Sequence, residues 1–102
     1  MDSAQFHFIN FTPSEFIYRF AQQNLNEILD LAPYDASSEA TVERREDGSY
    51  ACKIGIFSFR FQDVGEAEGV NPMGVIQTAV SDIQKKLNEW HHHCWHATRQ
   101  IS

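Results

Sequence analysis

The densest run of chemically capable side chains is Glu89-Trp90-His91-His92-His93-Cys94-Trp95-His96, close to the C-terminal end of a 102-residue chain. If a helix continues through it, Glu89, His92, His93 and His96 fall on one face, because spacings of 3, 4 and 7 superpose on a helix. A histidine pair at i and i+4, here His92 and His96, with the Glu89 carboxylate, is a geometry that holds zinc, nickel or copper. The anchors of a known zinc motif are missing. No second Cys or His pair follows in the next six residues, and His7 is far away in sequence. A second reading is a pH-dependent cationic patch, since each imidazole titrates near 6.5. Protonating all five histidines would move the formal charge from −6 to about −1. The third reading, preferred here, is structural. Histidines near a helix C-terminus complement its dipole, while Trp90 and Cys94 dock on the core.

The second group is Phe57-Ser58-Phe59-Arg60-Phe61. Phe57, Phe59 and Phe61 share a parity, so in a covered sheet all three are core. On an uncovered face or a hairpin tip they make an apolar patch for a partner, which Tyr50 and Trp95 can join, and a homodimer through the open sheet face would use it. No Ser-His-Asp order, glycine-rich phosphate loop or CxxC is present. No spacing of the scattered acidic residues supports a carboxylate pair. The expectation is a protein that is not an enzyme and needs no cofactor.

The elements that position these groups follow from pattern and punctuation. Phe6 to Phe11 is short, aromatic and β-prone, with apolar residues on both faces, which predicts a central first strand. Thr12-Pro13-Ser14-Glu15 predicts a helix start, with Thr12 as cap, Pro13 first in the helix and Glu15 closing a capping box. That helix runs to about Ala32 and stops before Pro33. Its apolar stripe is Ile17, Phe20, Ala21, Leu25, Ile28 and Ala32. Residues 39–46 alternate, with Ala40 and Val42 inward. Asp47-Gly48 is a hairpin turn signal. Tyr50 to Phe61 is a long β-prone run whose apolar parity switches near Gly55-Phe57, implying a bulge or second turn around residues 57–59. A last strand covers about 60–67. Asn71 caps a second helix with Pro72 at its first position. Ile76, Ala79, Val80, Ile83, Leu87 and Trp90 form its buried stripe, and Asp82 pairs with Lys86 at i, i+4. The sum is β-α-β-β-β-α, an α+β two-layer sandwich with a mostly antiparallel sheet and two helices on one face. It is a single domain over residues 1–102, with a core of about 5–90 and a histidine-rich helical extension over 91–102.

Composition narrows the functional classes. Apolar residues are 42% of the chain and eight are Phe, which marks a globular protein rather than a disordered one. No apolar run approaches the 18 or so residues of a membrane span. Residues 1–5 carry neither the basic region nor the apolar segment of a signal peptide, so the expected compartment is the cytoplasm. Cys52 and Cys94 are then two free thiols, with Cys52 packed as a small hydrophobe. Fourteen acidic residues face eight basic ones, a balance that phosphate backbones repel unless the cations cluster.

The element order, with the junction Ala67-Glu68-Gly69-Val70-Asn71 leading into an apolar helix, resembles the hibernation promoting factor and protein Y family of small ribosome-binding proteins. The resemblance covers about residues 5 to 90. It implies binding in the small ribosomal subunit, to 30S rRNA near the decoding site, with a role in translation regulation under stress, and no catalysis. The family's ribosome binders carry many Lys and Arg on the outer faces of both helices. Carried over onto this chain, the candidate nucleic-acid contacts are Arg19 on the first helix and Lys85 and Lys86 on the second, with His92 and Arg99 added as further candidates along the same helix. The alternatives are a protein-interaction or homodimerisation module of the same fold that has lost RNA binding, through Phe57, Phe59 and Phe61, or the metal binder through Glu89, His92, His93 and His96.

Overall fold

The computed structural model describes residues 5–101, with side chains for residues 5–92. Its elements are β1 (Phe6–Ile9), α1 (Glu15–Leu31), β2 (Ser37–Arg44), β3 (Tyr50–Phe57), β4 (Gln62–Gly69) and α2 (Pro72–Ile101). The expected β-α-β-β-β-α order is therefore the observed one. The sheet runs β1-β2-β3-β4, with β1 parallel to β2 and the other pairs antiparallel. Both helices cover one face and leave the other to solvent.

The first strand departs from expectation. It lies at the edge of the sheet, not inside it. Its two-sided apolar pattern has a local cause. Asn10 takes a left-handed conformation, φ 68°, which an Asn tolerates. The kink turns Phe11 back to the covered side, where it meets Tyr50 and Phe8 edge-on at 5.1 and 5.7 Å. Ile9 is left 40% exposed.

Helix starts are set by side-chain acceptors. α2 begins as expected: Asn71 Oδ1 accepts from the Met73 and Gly74 amides. α1 begins two residues later than Thr12 predicts. Ser14 is its cap, with Oγ accepting from the Ile17 amide at 3.2 Å. Pro13 stands outside the helix, and Glu15 pairs with Arg19 instead of closing a capping box. At the first hairpin Gly48 has φ 91°, and Asp47 Oδ1 accepts from the Ser49 amide and hydroxyl. The second turn, Ser58 to Phe61, is tightly built: Ser58 N–H donates to the Phe61 carbonyl, while Ser58 Oγ accepts from the Arg60 and Phe61 amides.

The core joins Ala21, Leu25 and Ile28 of α1 to Ile76, Ala79, Ile83 and Leu87 of α2, over Phe6, Ala40, Val42, Cys52, Ile54 and Ile56 of the sheet. α2 crosses β4 at Gly65 in very close approach. A Cβ there would sit 2.6 Å from the Ala79 carbonyl oxygen and 3.0 Å from Ile83. Thirty residues make α2 about 45 Å long, whereas an eight-residue strand spans about 26 Å. The helix therefore runs past the end of the sheet after Trp90. Among the described residues no helix is long and apolar enough to cross a membrane.

Candidate functional site

The five sequence-derived nucleic-acid contacts do not form one free basic surface. Arg19 is bound to Glu15 at 2.6 Å, with both side chains well exposed. Lys86 is held more firmly. Its Nζ donates to the Val64 carbonyl at 2.7 Å and lies 3.4 Å from Asp82 and 3.6 Å from Asp63. Partial burial draws the Lys86 pKa down, but the two carboxylates outweigh it and hold the group above the ordinary lysine value. Lys85 is exposed and makes no ion pair among the described residues. It lies on the outer face of α2 with Ser81, Asn88, Glu89 and His92, around a shallow depression. The Arg99 side chain lies outside the described residues. The sequence reading passed over Arg44 and Arg60, which are exposed and likewise unpaired among the described residues.

The Lys86 contacts have a plain physical purpose. β4 is an edge strand, and an edge presents unpaired backbone groups that recruit other chains. Lys86 occupies the Val64 carbonyl, Asp82 accepts from the Glu66 amide at 3.4 Å, and Asp63 Oδ1 accepts from the Val64 amide at 2.8 Å. The i, i+4 pair read from sequence as a surface ion pair is thus a clamp on the sheet edge.

The histidine-rich end is divided. Glu89 and His92 are exposed on α2, and the side chains of His93, Cys94 and His96 lie outside the described residues. Among the described residues no group of three or more His, Cys, Asp or Glu gathers at metal-holding distance. His91 shows a role that periodicity could not reveal. Its Nε2 lies 2.6 Å from the Leu31 carbonyl, so with Nε2 protonated it donates to the C-terminal turn of α1, which has no basic residue of its own. His91 thus complements the end of α1, while the expected complement at the end of α2 falls on side chains outside the described residues. Trp90 packs edge-on to His91 and to Phe61, at ring separations of 4.7 and 5.8 Å, and so docks on the core as expected.

Phe57, Phe59 and Phe61 are separated by the fold. Phe57 lies half-buried on the open sheet face, over Gly55, where an added Cβ would meet its ring at 2.6 Å. Phe59 is 94% exposed at the tip of the Ser58–Phe61 turn. Phe61 is buried in the core, so it is withdrawn from the partner-binding set. The turn interrupts the pleat, and shared sequence parity no longer means a shared face. Tyr50 is engaged with Phe11 rather than with this patch. The rest of the open face is chiefly polar, including Lys53 near Glu66 at 4.0 Å and Arg45 bound to Glu68 at 2.9 Å.

Among the exposed aromatics that sequence reading missed, which include Phe16 and Tyr18, Tyr34 is the most exposed. It lies in the turn Pro33–Ala36, closed by the Ala36 amide on the Pro33 carbonyl, and it is fully exposed. The next residue, Asp35, accepts through Oδ2 from the Phe59 amide at 2.9 Å. Two turns 24 residues apart are thereby tied together, each with an aromatic ring at its tip.

No family model matches this chain, and no curated protein does. Solved structures do. The Protein Y N-terminal domain of Thermus thermophilus superposes with a TM-score of 0.71 at 11% identity, over 88% of this chain and 99% of that one. A ribosomal subunit interface protein from Coxiella burnetii gives 0.70 at 10% identity, over 87% and 97%. The fold implied by the sequence resemblance to the hibernation promoting factor and protein Y family is thus the fold observed.

Proposed function

We propose that this chain is a non-catalytic, ribosome-associated domain of the cytoplasm that acts in translation regulation under stress. The observation that carries this reading is the agreement of fold across nearly the whole of both chains with a Protein Y domain and a ribosomal subunit interface protein. The site it would use is the outer face of α2 around Lys85, with Arg99 further along the helix and His92 beside it. Ribosome binding through phosphates should be weaker and more readily abolished than in a basic relative, because Arg19 and Lys86 are already engaged within the fold and each lost phosphate contact lowers affinity. The test is co-sedimentation with 30S subunits and 70S ribosomes at about 50 and 200 mM salt. Binding that weakens with salt and falls further in Lys85→Ala supports the reading. Absence of binding at both salts removes it.

A second reading, a protein-interaction module of the same fold, is favoured by the same pairing of Arg19 and Lys86 and by the exposed Phe59 ring. Binding to ribosomes that does not respond to salt or to Lys85→Ala is its signature.

A further inference from the structure

We propose that the paired turns carrying Tyr34 and Phe59 form a docking surface for a basic protein segment; the inference rests on the ribosome-associated reading and names the class of ribosomal component that is touched. Both rings hold the second position of a hydrogen-bonded four-residue turn, Pro33–Ala36 and Ser58–Phe61. They are 105% and 94% exposed, and neither meets another ring among the described residues. Their support is rigid. Ser58 is buried, with its hydroxyl accepting from two amides of its turn, and Asp35 ties the second turn to the first. From that hydrogen bond and ordinary bond lengths, the two aromatic Cα atoms lie no more than about 12 Å apart. With the backbone of both turns tied, only two χ angles per ring remain to be ordered on binding, so the entropic cost of docking is small.

The sign of the local field selects the partner. Tyr34 follows the C-terminus of α1, where the helix dipole is negative. The last turn of α1 holds no basic residue, and Asp30 and Asp35 are both exposed near Tyr34 in the chain. Against these groups stand Arg60, in the neighbouring turn, and the His91 ring, which offers one N–H to the Leu31 carbonyl and leaves both Asp30 and Asp35 exposed. The whole chain carries −6. Phosphates are repelled by such a field, whereas Lys or Arg side chains are attracted to the carboxylates and can lie over the exposed ring faces. Of the components of a ribosome, this surface fits basic protein rather than RNA.

The experiment places a photo-crosslinker at the tip, Phe59→p-benzoylphenylalanine, in the full chain bound to 30S subunits and 70S ribosomes. The expected product is a covalent adduct to a ribosomal protein that survives ribonuclease. An adduct to rRNA, or to a second copy of this chain, overturns the proposal. In parallel, Phe59→Ala and Tyr34→Ala should each weaken co-sedimentation about tenfold or more, and Asp30→Lys should weaken it severalfold. Stronger binding by Asp30→Lys would mean a phosphate partner and would overturn the proposal. Undiminished binding by both aromatic variants overturns it while leaving the ribosome reading intact. Absence of wild-type co-sedimentation overturns both.

Discussion

Lys86 Nζ donates to the carbonyl of Val64 at 2.7 Å, so a helix side chain closes a backbone group on the exposed edge of the sheet. The same ammonium lies against Asp82 and Asp63, and each carboxylate in turn accepts from a β4 amide. Replacing Lys86 with Met keeps the apolar stem and removes the three contacts of the ammonium, leaving the two amide–carboxylate hydrogen bonds in place. Lys86→Met should cost about 1 kcal/mol of stability and increase self-association through the edge. Denaturant midpoints and light scattering check the two effects separately. The folded pKa of Lys86 is raised. Its contribution is therefore complete below the ordinary lysine value, near 10.5, and is lost as the pH climbs through the higher folded value. Wild type should lose more stability than Lys86→Met across that alkaline window.

Gly65 has no room for a side chain. Its Cβ would press on the backbone oxygen of Ala79, which cannot rotate away. Gly65→Ala should destabilise by about 2 kcal/mol or more, because α2 must lift from β4. Gly55→Ala is the control, since the clashing atoms there belong to the Phe57 ring. That ring can swing aside, so the loss should be smaller. Thermal melts of the two variants decide the order.

Burial pushes the Cys52 thiol up to about 12. At neutral pH it is almost entirely protonated and shielded from reagents. In a Cys94→Ser background, a thiol-directed disulfide reagent should label Cys52 only at the rate of global or sub-global opening. Denaturant should accelerate labelling in proportion to the unfolded fraction. Prompt labelling in native buffer would contradict the buried position.

His91 supplies the polar partner for the end of α1. His91→Ala should cost about 1 kcal/mol, the usual scale of a lost hydrogen bond at a partly exposed site. The effect should be local. Hydrogen exchange at the last turn of α1 should quicken, while the protection of β3 stays as it was.

Much of the architecture was legible because its determinants are close in sequence. Asp47-Gly48 and Asn71-Pro72 each act within a few residues, and the α2 stripe through Ile76, Ile83 and Leu87 repeats at helical period. The edge position of β1 was not legible, because a left-handed Asn10 mimics the pattern of a strand buried on both sides. Thr12 and Ser14 are both competent caps, and only the folded helix chooses between them. At the candidate site, Lys85 and Lys86 are adjacent in sequence with opposite fates, since one faces solvent and the other faces β4. The Asp35–Phe59 and His91–Leu31 contacts join segments 24 and 60 residues apart. Neither partner carries a local mark of the other, so the Tyr34 and Phe59 surface emerges only in three dimensions.

The overhang of α2 alters the energetics of its own far end. An isolated helix must first assemble an unfavourable nucleus, and a short segment in water rarely does. Here the nucleus is already present, because residues 72–90 are packed on the sheet and Trp90 is seated against Phe61. Every residue beyond that point extends the helix by a propagation step alone. The segment beyond His91, whose ring still holds the end of α1, can therefore vary in sequence or length without disturbing the layer that launches it, much as a mast depends on its footing and not on what is hung from its top.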